Sequence, residues 1–377
     1  MKLLIYLLIS LLGWNSLWGQ QDKKQWEAER RREKQLWEEQ NKREWEAWQR
    51  RNIQERQLWQ DMVDRESAEW QKHVQEVRKL WQKVRFSDVR NWVGYGPNKS
   101  SRFHADFVHG TLTIEVLGAP NASESELQQK ALEIFRDVAE TPSGPHQPPI
   151  LDKQLSVDPN ISQIPSSYMH TDNYVAPMGK RFQRLTINIP FREDHLRIRA
   201  QMVAPIVQKY CQKYGVNPRM VMAIIHTESS FNPRAISTFR RGKGGYGHAY
   251  GLMQLVPEYG GQEAYTMIGG RGLPSPALLF DPDRNIELGV VYLAKLTHQY
   301  FGGVQGEEKK EYLTIAGYNT GPFNVAKAFN PRSDLQQAIP FINRMTARKV
   351  YQHLLTNLPI WETREYLQKV VQRMALY

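Results

Sequence analysis

The stretch that decides the fold is Glu228-Ser229-Ser230-Phe231-Asn232-Pro233. It follows a predicted helix with an apolar interior, which Asn217 caps and which opens on Pro218. This helix delivers Glu228 at its carboxyl end, among apolar side chains. Desolvation and the helix dipole both raise the pKa of a carboxylic acid in that position. A general acid needs such a raised pKa near neutral pH, so Glu228 is the candidate proton donor.

Further motifs follow this stretch in order along residues 193–377. Ala235 and Ser237 come first. Three longer motifs come next, and they are Gly251-Leu252-Met253-Gln254, Ala316-Gly317-Tyr318-Asn319-Thr320-Gly321-Pro322 and Glu362-Thr363-Arg364-Glu365-Tyr366. Together with Glu228, these motifs resemble the soluble lytic transglycosylase domain of the lysozyme superfamily. The resemblance implies a lysozyme-like, mostly α-helical catalytic domain over residues 193–377.

A narrower resemblance extends over residues 80–377. The segments that carry it are Pro274-Ser275, Leu279-Phe280-Asp281-Pro282, Asn285-Ile286, Tyr292-Leu293-Ala294 and Gly110-Thr111-Leu112-Thr113-Ile114-Glu115. They are similar to the membrane-bound lytic murein transglycosylase C family. Three features depart from the family pattern: a lipoprotein cysteine is missing near residue 19, the N-terminal tryptophan repeat is additional, and residues 240–245 look like an insert. We expect this Arg/Lys- and Gly-rich insert to be a basic, mobile loop.

The resemblance implies cleavage of the β-1,4 bond between N-acetylmuramic acid and N-acetylglucosamine in peptidoglycan. Glu228 would first protonate the glycosidic oxygen. A protein nucleophile would be a second carboxylate about 5 Å away, and the motifs supply no obvious one. The ionised Glu228 would instead deprotonate the sugar's own C6 hydroxyl, which closes a 1,6-anhydro ring. A hydrolytic muramidase is the nearest alternative. An inactive peptidoglycan-binding scaffold and an assembly protein built on the tryptophan repeat are two others.

The same resemblance assigns the other site residues. Ser237 and Tyr318 are predicted to be catalytic with Glu228, because they would polarise or orient the sugar and the acid. The residues predicted to bind substrate are Ser229, Met253, Gln254, Asn319 and Glu362.

Gln254 and Asn319 would hold glycan hydroxyls or amides, and Met253 would form part of the groove wall. The predictions for Ser229 and Glu362 have structural alternatives. Ser229 could be an ordinary hydrogen-bonding residue at the helix end. Glu362 could pair with Arg364 or Arg344.

No cofactor or metal is expected. His226 points to a different helix face from Glu228 and His248 lies near the glycine-rich insert, so neither completes a ligand set. The single cysteine, Cys211, excludes an internal disulfide and lies on the apolar stripe of a predicted helix over His195–Tyr214. We expect it to be a buried packing thiol. Asp281 and Pro282 are expected to cap and open the helix that follows.

Residues 20–85 form an 11-residue repeat without proline or glycine. Tryptophan recurs at Trp26, Trp37, Trp48, Trp59, Trp70 and Trp81. Eleven residues make three helical turns, so the tryptophans share one face of a long helix of roughly 90–100 Å. This stripe predicts self-association or docking to an envelope protein. An aromatic platform for sugars and a solvated spacer helix are the alternatives.

Residues 1–19 predict an export signal or a retained anchor. Lys2 precedes an apolar stretch that is too short for a comfortable membrane span. Leu17 and Trp18 stand where small residues usually mark a cleavage site, so retention stays open. We therefore expect a periplasmic protein of the Gram-negative envelope, with membrane association through this segment or through the basic catalytic domain.

The predicted fold class is α+β, because residues 86–192 look like a small α+β domain. Strands are expected on either side of His109-Gly110, a helix over Glu124–Ala139 and a proline-rich loop over residues 141–166. The formal net charge of +11 suits an anionic polymer or a lipid surface. Export makes nucleic acid an unsuitable partner, so peptidoglycan glycan strands are the expected one.

Overall fold

The computed structural model describes residues 20–240 and 246–377. The predicted export signal and the tip of the basic insert, residues 1–19 and 241–245, lie outside the described residues. The chain divides into two compact units, one ending at Ser67 and the other comprising Ala68–Tyr377.

The tryptophan-repeat segment forms one helix, α1, over Gln20–Leu80. The first two tryptophans of its stripe, Trp26 and Trp37, are 51% and 64% exposed. Burial of a large aromatic side chain is favourable, and an exposed one forgoes that stabilisation. The stripe therefore presents an apolar surface in this part of the helix.

Helix α1 ends at Leu80, earlier than the predicted residue 85, because the next tryptophan, Trp81, is buried. Trp81 is only 1% exposed. Its indole N–H donates to the carbonyl of Lys99 at 2.7 Å, and the guanidinium of Arg102 lies 3.9 Å from the ring centroid. These contacts bury Trp81 against the sheet and take the chain off the helical path.

A five-stranded antiparallel sheet follows, with strand order β1-β2-β3-β5-β4. Its strands are β1 Asn91–Tyr95, β2 Ser101–Asp106, β3 Thr111–Gly118, β4 Met169–Val175 and β5 Arg181–Pro190. The turn predicted at His109-Gly110 is confirmed, and Gly110 has a φ of 68° that glycine adopts without strain.

Helix α2, Glu124–Glu140, packs its apolar face against this sheet. Ser123 caps it by accepting a hydrogen bond from the backbone N–H of Glu126. The buried face consists of Leu127, Ala131, Phe135, Val138 and Ala139, as the helical periodicity predicts. The proline-rich stretch after α2 returns the chain to the sheet edge at β4 without a further long element.

The remaining helices surround one large apolar core. They are α3 His195–Tyr214, α4 Pro218–Ser229, α5 Gln262–Met267, α6 Pro276–Leu279, α7 Pro282–Lys295, α8 Glu307–Thr320, α9 Pro322–Phe329, α10 Leu335–Asn343, α11 Ala347–Asn357 and α12 Trp361–Met374. Helix α7 is almost wholly buried, and Asp281 caps it by accepting from the N–H of Asp283, as predicted. Cys211 is a buried packing residue as expected, and burial raises the pKa of its thiol to about 12.

A two-stranded hairpin was not predicted. Strands β6, Ile236–Arg240, and β7, Tyr246–Tyr250, pair on either side of the basic insert. The described strands flank the insert, for which a mobile loop stays a prediction because residues 241–245 lie outside the described residues. Within residues 20–240 and 246–377, none of the helices combines the length and the apolar character that a bilayer crossing requires.

Candidate active site

Helix α4 positions Glu228 as the sequence predicts. Asn217 caps its start by accepting from the backbone N–H of Arg219 at 3.0 Å, and Pro218 occupies the first turn. The helix ends at Ser229, and Ser230 closes it in the left-handed conformation with a φ of 51°. Glu228 therefore lies in the last turn, where the helix dipole disfavours a negative charge.

The surroundings of Glu228 favour its protonated form. The pKa of this carboxyl is raised to about 7. Burial is the largest influence and raises the pKa, the hydroxyl of Tyr366 lowers it, and the negative charge of Glu362 raises it. The Glu228 residue as a whole is half-buried. A carboxyl with these properties is protonated in a large fraction of molecules at neutral pH and can donate its proton.

Two tyrosines flank the acid from neighbouring helices. Tyr318 of α8 donates its hydroxyl proton to the carbonyl of Met253 at 2.7 Å. Tyr366 of α12 directs a buried hydroxyl at Glu228, but its geometry falls short of a full hydrogen bond. Burial and the nearby Glu228 carboxylate raise the pKa of both phenols, which therefore stay protonated and can act as hydrogen-bond donors.

The motif at 251–254 forms a tight turn beside the acid. Gly251 has a φ of 75°, and a Cβ there would clash with the carbonyl of Leu279, so only glycine fits. Gln254 is also left-handed, with a φ of 49°. Its amide nitrogen donates to the carbonyls of Gly251 and Ala235, whereas its Oε1 is buried without a hydrogen-bond partner. An unpaired buried acceptor is costly, and a donor on the substrate would relieve that cost.

Met253 is not a wall of the groove, and that prediction is wrong. The residue is fully buried, and its sulfur packs against Gly289 of α7, where even a Cβ on Gly289 would clash. The turn conformation of Gln254 reverses the chain, so the Met253 side chain points into the core. Its backbone still serves the site, because the carbonyl holds Tyr318 and the N–H donates to Asn285 at 2.8 Å.

Ser229 takes the structural role that was its alternative. It is 1% exposed, and its hydroxyl lies 2.7 Å from the carbonyl of Leu252 and 3.0 Å from that of Ile225. This hydroxyl is engaged away from the cleft. It fastens the end of α4 to the turn at 251–254, so the geometry gives no support to direct contact between Ser229 and the substrate.

The other predicted residues have free polar groups or exposed positions. Ser237 lies on β6 opposite Ala249, and its hydroxyl makes no hydrogen bond with the described residues. Asn319 is exposed at the end of α8, and its Oδ1 accepts from Thr363 at 2.7 Å. Glu362 is exposed in the first turn of α12, close enough to affect Glu228.

The alternative pairing of Glu362 with arginine is absent from the described part of the chain. Arg364 instead donates both its Nε and Nη2 protons to the carbonyl of Leu358. Tyr366 is the site residue for which the sequence suggested no role. It is one helical turn beyond Glu362, and that i, i+4 spacing would have placed both side chains on the face toward Glu228.

The described residues contain no group of three or more His, Cys, Asp and Glu side chains that could hold a metal ion. His226 is buried and lies 3.0 Å from the hydroxyl of Tyr377. Burial lowers the pKa of His226 to about 4, with Arg373 and Arg199 adding to the effect. The imidazole is therefore neutral at physiological pH and belongs to the packing between α4 and α12.

The sequence of this chain is similar to those of known proteins over most of its length. The membrane-bound lytic murein transglycosylase C of Pectobacterium atrosepticum is 32% identical over 305 residues, which cover 76% of this chain and 82% of that protein. This chain belongs to the membrane-bound lytic murein transglycosylase C family. A second member, from Haemophilus influenzae, is 32% identical over 74% of this chain and 80% of its own length. The predicted family is thereby confirmed.

One domain family and one solved structure are also similar to part of this chain. The model of the transglycosylase SLT domain matches residues 205–339, which include Glu228 and Tyr318. Among solved structures, the lytic transglycosylase Slt of Pseudomonas aeruginosa is similar, with 28% identity, a TM-score of 0.33, and coverage of 46% of this chain and 23% of that chain. The predicted α+β class is confirmed by the helices and the antiparallel sheet described above, and the SLT domain match lies within the predicted catalytic domain.

Proposed function

We propose that this member of the transglycosylase C family cleaves peptidoglycan glycan strands without water, at the β-1,4 bond between N-acetylmuramic acid and N-acetylglucosamine. The observation that carries the proposal is the environment of Glu228. This carboxyl in the family's motif has a pKa raised to about 7, chiefly by burial, and two tyrosine hydroxyls lie beside it.

The first step is a proton transfer. Protonated Glu228 gives its proton to the glycosidic oxygen while the bond between that oxygen and the anomeric carbon of N-acetylmuramic acid breaks. N-acetylglucosamine leaves with a free 4-hydroxyl group. Positive charge then develops at the anomeric carbon, and the newly ionised Glu228 lies close enough to offset it.

The second step uses the same carboxyl as a base. Ionised Glu228 takes the proton of the C6 hydroxyl of N-acetylmuramic acid, and the C6 oxygen attacks the anomeric carbon. A new C–O bond closes the 1,6-anhydro ring, and Glu228 is again protonated. No water is consumed, and one carboxyl of pKa about 7 can serve in both directions near neutral pH.

The flanking residues supply orientation and polar contacts. Tyr318 and Ser237 would act with Glu228 as the catalytic set. The Ser237 hydroxyl would donate a hydrogen bond to the reacting sugar. The Tyr318 hydroxyl, whose proton goes to the Met253 carbonyl, would accept a hydrogen bond and hold the turn beside Glu228. Gln254 Oε1 would accept from an N-acetyl N–H, which gives the buried acceptor its missing partner. Asn319 would contact a sugar hydroxyl at the cleft edge, while Ser229 acts by holding α4 on the turn.

The direct test is digestion of purified sacculi by the full chain, followed by measurement of released muropeptides. We expect soluble products to appear without any added metal or cofactor. A folded protein that binds sacculi and releases nothing would favour the inactive scaffold over the transglycosylase.

A hydrolytic muramidase is the second candidate, and the position of Glu362 favours it. A second carboxylate near Glu228 could activate water, as in inverting glycosidases. The present proposal expects Glu362→Gln to keep cleavage, with anhydro products. Loss of cleavage comparable to that of Glu228→Gln would make Glu362 a catalytic carboxylate and support the muramidase.

The same variant predicts a change in pH dependence. Glu228 must be protonated to begin the reaction, so kcat/KM falls as the pH rises through its pKa. Glu362→Gln removes a charge that raises this pKa and should move the decline to lower pH. Tyr366→Phe removes an influence that lowers the pKa and should move the decline to higher pH. Glu365→Gln, on the same helix, is the control, and profiles that do not separate in these directions would contradict the assignment.

The stripe on α1 supports a proposal of self-association, with docking to another envelope protein as the alternative. Trp26 and Trp37 are half or more exposed, and an 11-residue repeat presents the same face to a second copy. Replacing both with glutamine should lower the sedimentation coefficient and leave cleavage of soluble glycan strands within about twofold of wild type.

The control for the stripe variant carries Lys34→Gln and Lys42→Gln, which are exposed on the same helix outside the stripe. Loss of soluble-glycan cleavage without a change in sedimentation would favour the sugar-platform alternative. Unchanged sedimentation and unchanged activity in both variants would remove the proposed role.

We also propose export to the periplasm with association to a membrane, through the N-terminal segment or the basic catalytic domain. The relatives are named as membrane-bound proteins, and Leu3–Trp18 is apolar. Cell fractionation with N-terminal sequencing tests this. A mature protein that begins near Gln20 and is wholly soluble in the periplasm at low salt would contradict the membrane association.

A further inference from the structure

Arg199 of α3 joins the catalytic helices to the α+β region. It is only 2% exposed. Its Nη1 donates to the Oε1 of Gln154 and contacts the Nδ1 of His195, each at 2.9 Å, while its Nη2 donates to the carbonyl of Phe107 at 2.9 Å. Its Nε donates to the carbonyl of Ser230 at 3.1 Å. Every partner is a neutral group, and no ion pair with a described carboxylate compensates the guanidinium.

Burying an arginine without a carboxylate partner costs desolvation free energy that an apolar side chain of the same size would not. Burial lowers the pKa of Arg199 to about 10, yet the group remains charged at neutral pH. Its planar fork fixes several acceptors at defined angles, which neither an apolar side chain nor lysine can do. Hydrogen bonds to a charged group are stronger than those between neutral groups, so the guanidinium holds its partners firmly.

One of those partners lies two residues after Glu228. Ser230 and Phe231 both have positive φ, at 51° and 61°, a conformation that is unfavourable for residues other than glycine. Such a pair of left-handed residues persists only when its surroundings hold it. Arg199 supplies that restraint at the Ser230 carbonyl.

The following loop is fastened to the same α+β region. The side-chain amide of Asn232 donates to the carbonyls of Asp88 and Val89 at 3.5 and 3.4 Å. Arg234 donates to the carbonyl of Pro142 at 3.3 Å. The chain from Ser230 to Arg234 therefore rests on the α+β region at three points, and the charged, buried contact of Arg199 is the one nearest to Glu228.

We propose that Arg199 is a positioning residue for Glu228: it ties the end of α4 to Gln154 and Phe107 of the α+β region and so fixes how deeply the carboxyl lies in its apolar surroundings. This inference rests on the proposed function. It assigns the α+β region a part in catalysis, because half of the fork's partners belong to that region.

The decisive variant is Arg199→Lys, which keeps the charge but loses the fork. A displacement of about 1 Å at a reacting group can reduce turnover up to about 100-fold, and we expect kcat to fall about 10-fold. KM should change less than about twofold, because Arg199 is buried and its described hydrogen bonds go to protein groups. The decline of kcat/KM with rising pH should move to lower pH, since a less firmly held Glu228 becomes better solvated.

Other groups that face Glu228 are unchanged in this variant. They are Glu362 and Tyr366 on α12 and Tyr318 on α8. A second variant, Gln154→Leu, weakens the fork from the α+β side while keeping the arginine, and it should alter kcat and the pH profile in the same directions by a smaller factor. Arg197→Lys is the matched control, because Asp194 is the one ion-pair partner of this exposed arginine among the described residues.

The outcomes separate the two proposals. Wild-type protein that releases no muropeptides refutes the proposed function. The positioning role alone is refuted by a different result. In that result the wild-type protein is active, and a folded Arg199→Lys variant has the same kcat and pH profile as Arg197→Lys. If Arg199→Lys loses its cooperative thermal transition, Gln154→Leu decides, and a wild-type kcat and pH profile in that variant overturns the inference.

Discussion

Glu228→Gln is expected to lower glycan cleavage by at least about 10²–10⁴-fold, the usual contribution of general acid–base catalysis. Glutamine has nearly the shape of the protonated acid but can neither give nor take a proton. Both steps of the proposed mechanism pass through this one carboxyl, so the true loss should lie at the upper end. Release of muropeptides from sacculi is the measurement, and near-wild-type turnover in the folded variant would contradict the assignment.

Glu228→Gln is also expected to change the stability of the folded protein in a pH-dependent way. A carboxyl whose pKa rises from 4.5 to about 7 on folding destabilises the folded state progressively between those pH values, and fully above them. The neutral amide has no such penalty, so Glu228→Gln should be more stable than wild type at pH 8 by roughly 1–3 kcal/mol. At pH 4 the difference should vanish. Thermal unfolding at the two pH values measures it.

Tyr318→Phe is expected to reduce kcat by about 10–100-fold, because it removes a well-placed hydrogen-bonding group that holds the active-site turn. The hydroxyl donates to the Met253 carbonyl and lies near Glu228, so its loss releases the turn at 251–254 and removes a polar group from beside the acid. Tyr312→Phe is the matched control on the same helix, because the hydroxyl of Tyr312 donates to the exposed Glu308.

The Tyr318 prediction has a clear contrary result. A folded Tyr318→Phe protein with the kcat of Tyr312→Phe would remove Tyr318 from the catalytic set. A rise in KM with unchanged kcat would instead make it a residue that holds substrate and transition state equally.

Features that depend on neighbouring residues could be predicted from the sequence. The cap at Asn217, the cap at Asp281 and the buried face of α2 each follow from residue types within one or two helical turns. Glu228 could be found for the same reason, because its helix and its apolar neighbours are contiguous in the chain. The resemblance of the later motifs then supplied the substrate.

Features that depend on distant contacts could not. Arg199 reads as an ordinary helical arginine, since its partners Gln154 and Phe107 lie 45 and 92 positions away. Met253 adjoins Gln254 in one motif, but the left-handed turn sends its side chain into the core. Trp81 continues a strict repeat and yet leaves the helix, because its burial against Lys99 and Arg102 outweighs one more turn.

The central claim is that one carboxyl acts as acid and then as base, without water. Mass spectrometry of muropeptides released from purified sacculi by the wild-type chain, before and after borohydride treatment, tests it most directly. The proposal predicts products with 1,6-anhydro ends, which are one water lighter than hydrolysis products and are not reduced by borohydride. Muropeptides that carry mainly reducible ends would contradict it and identify the protein as a muramidase.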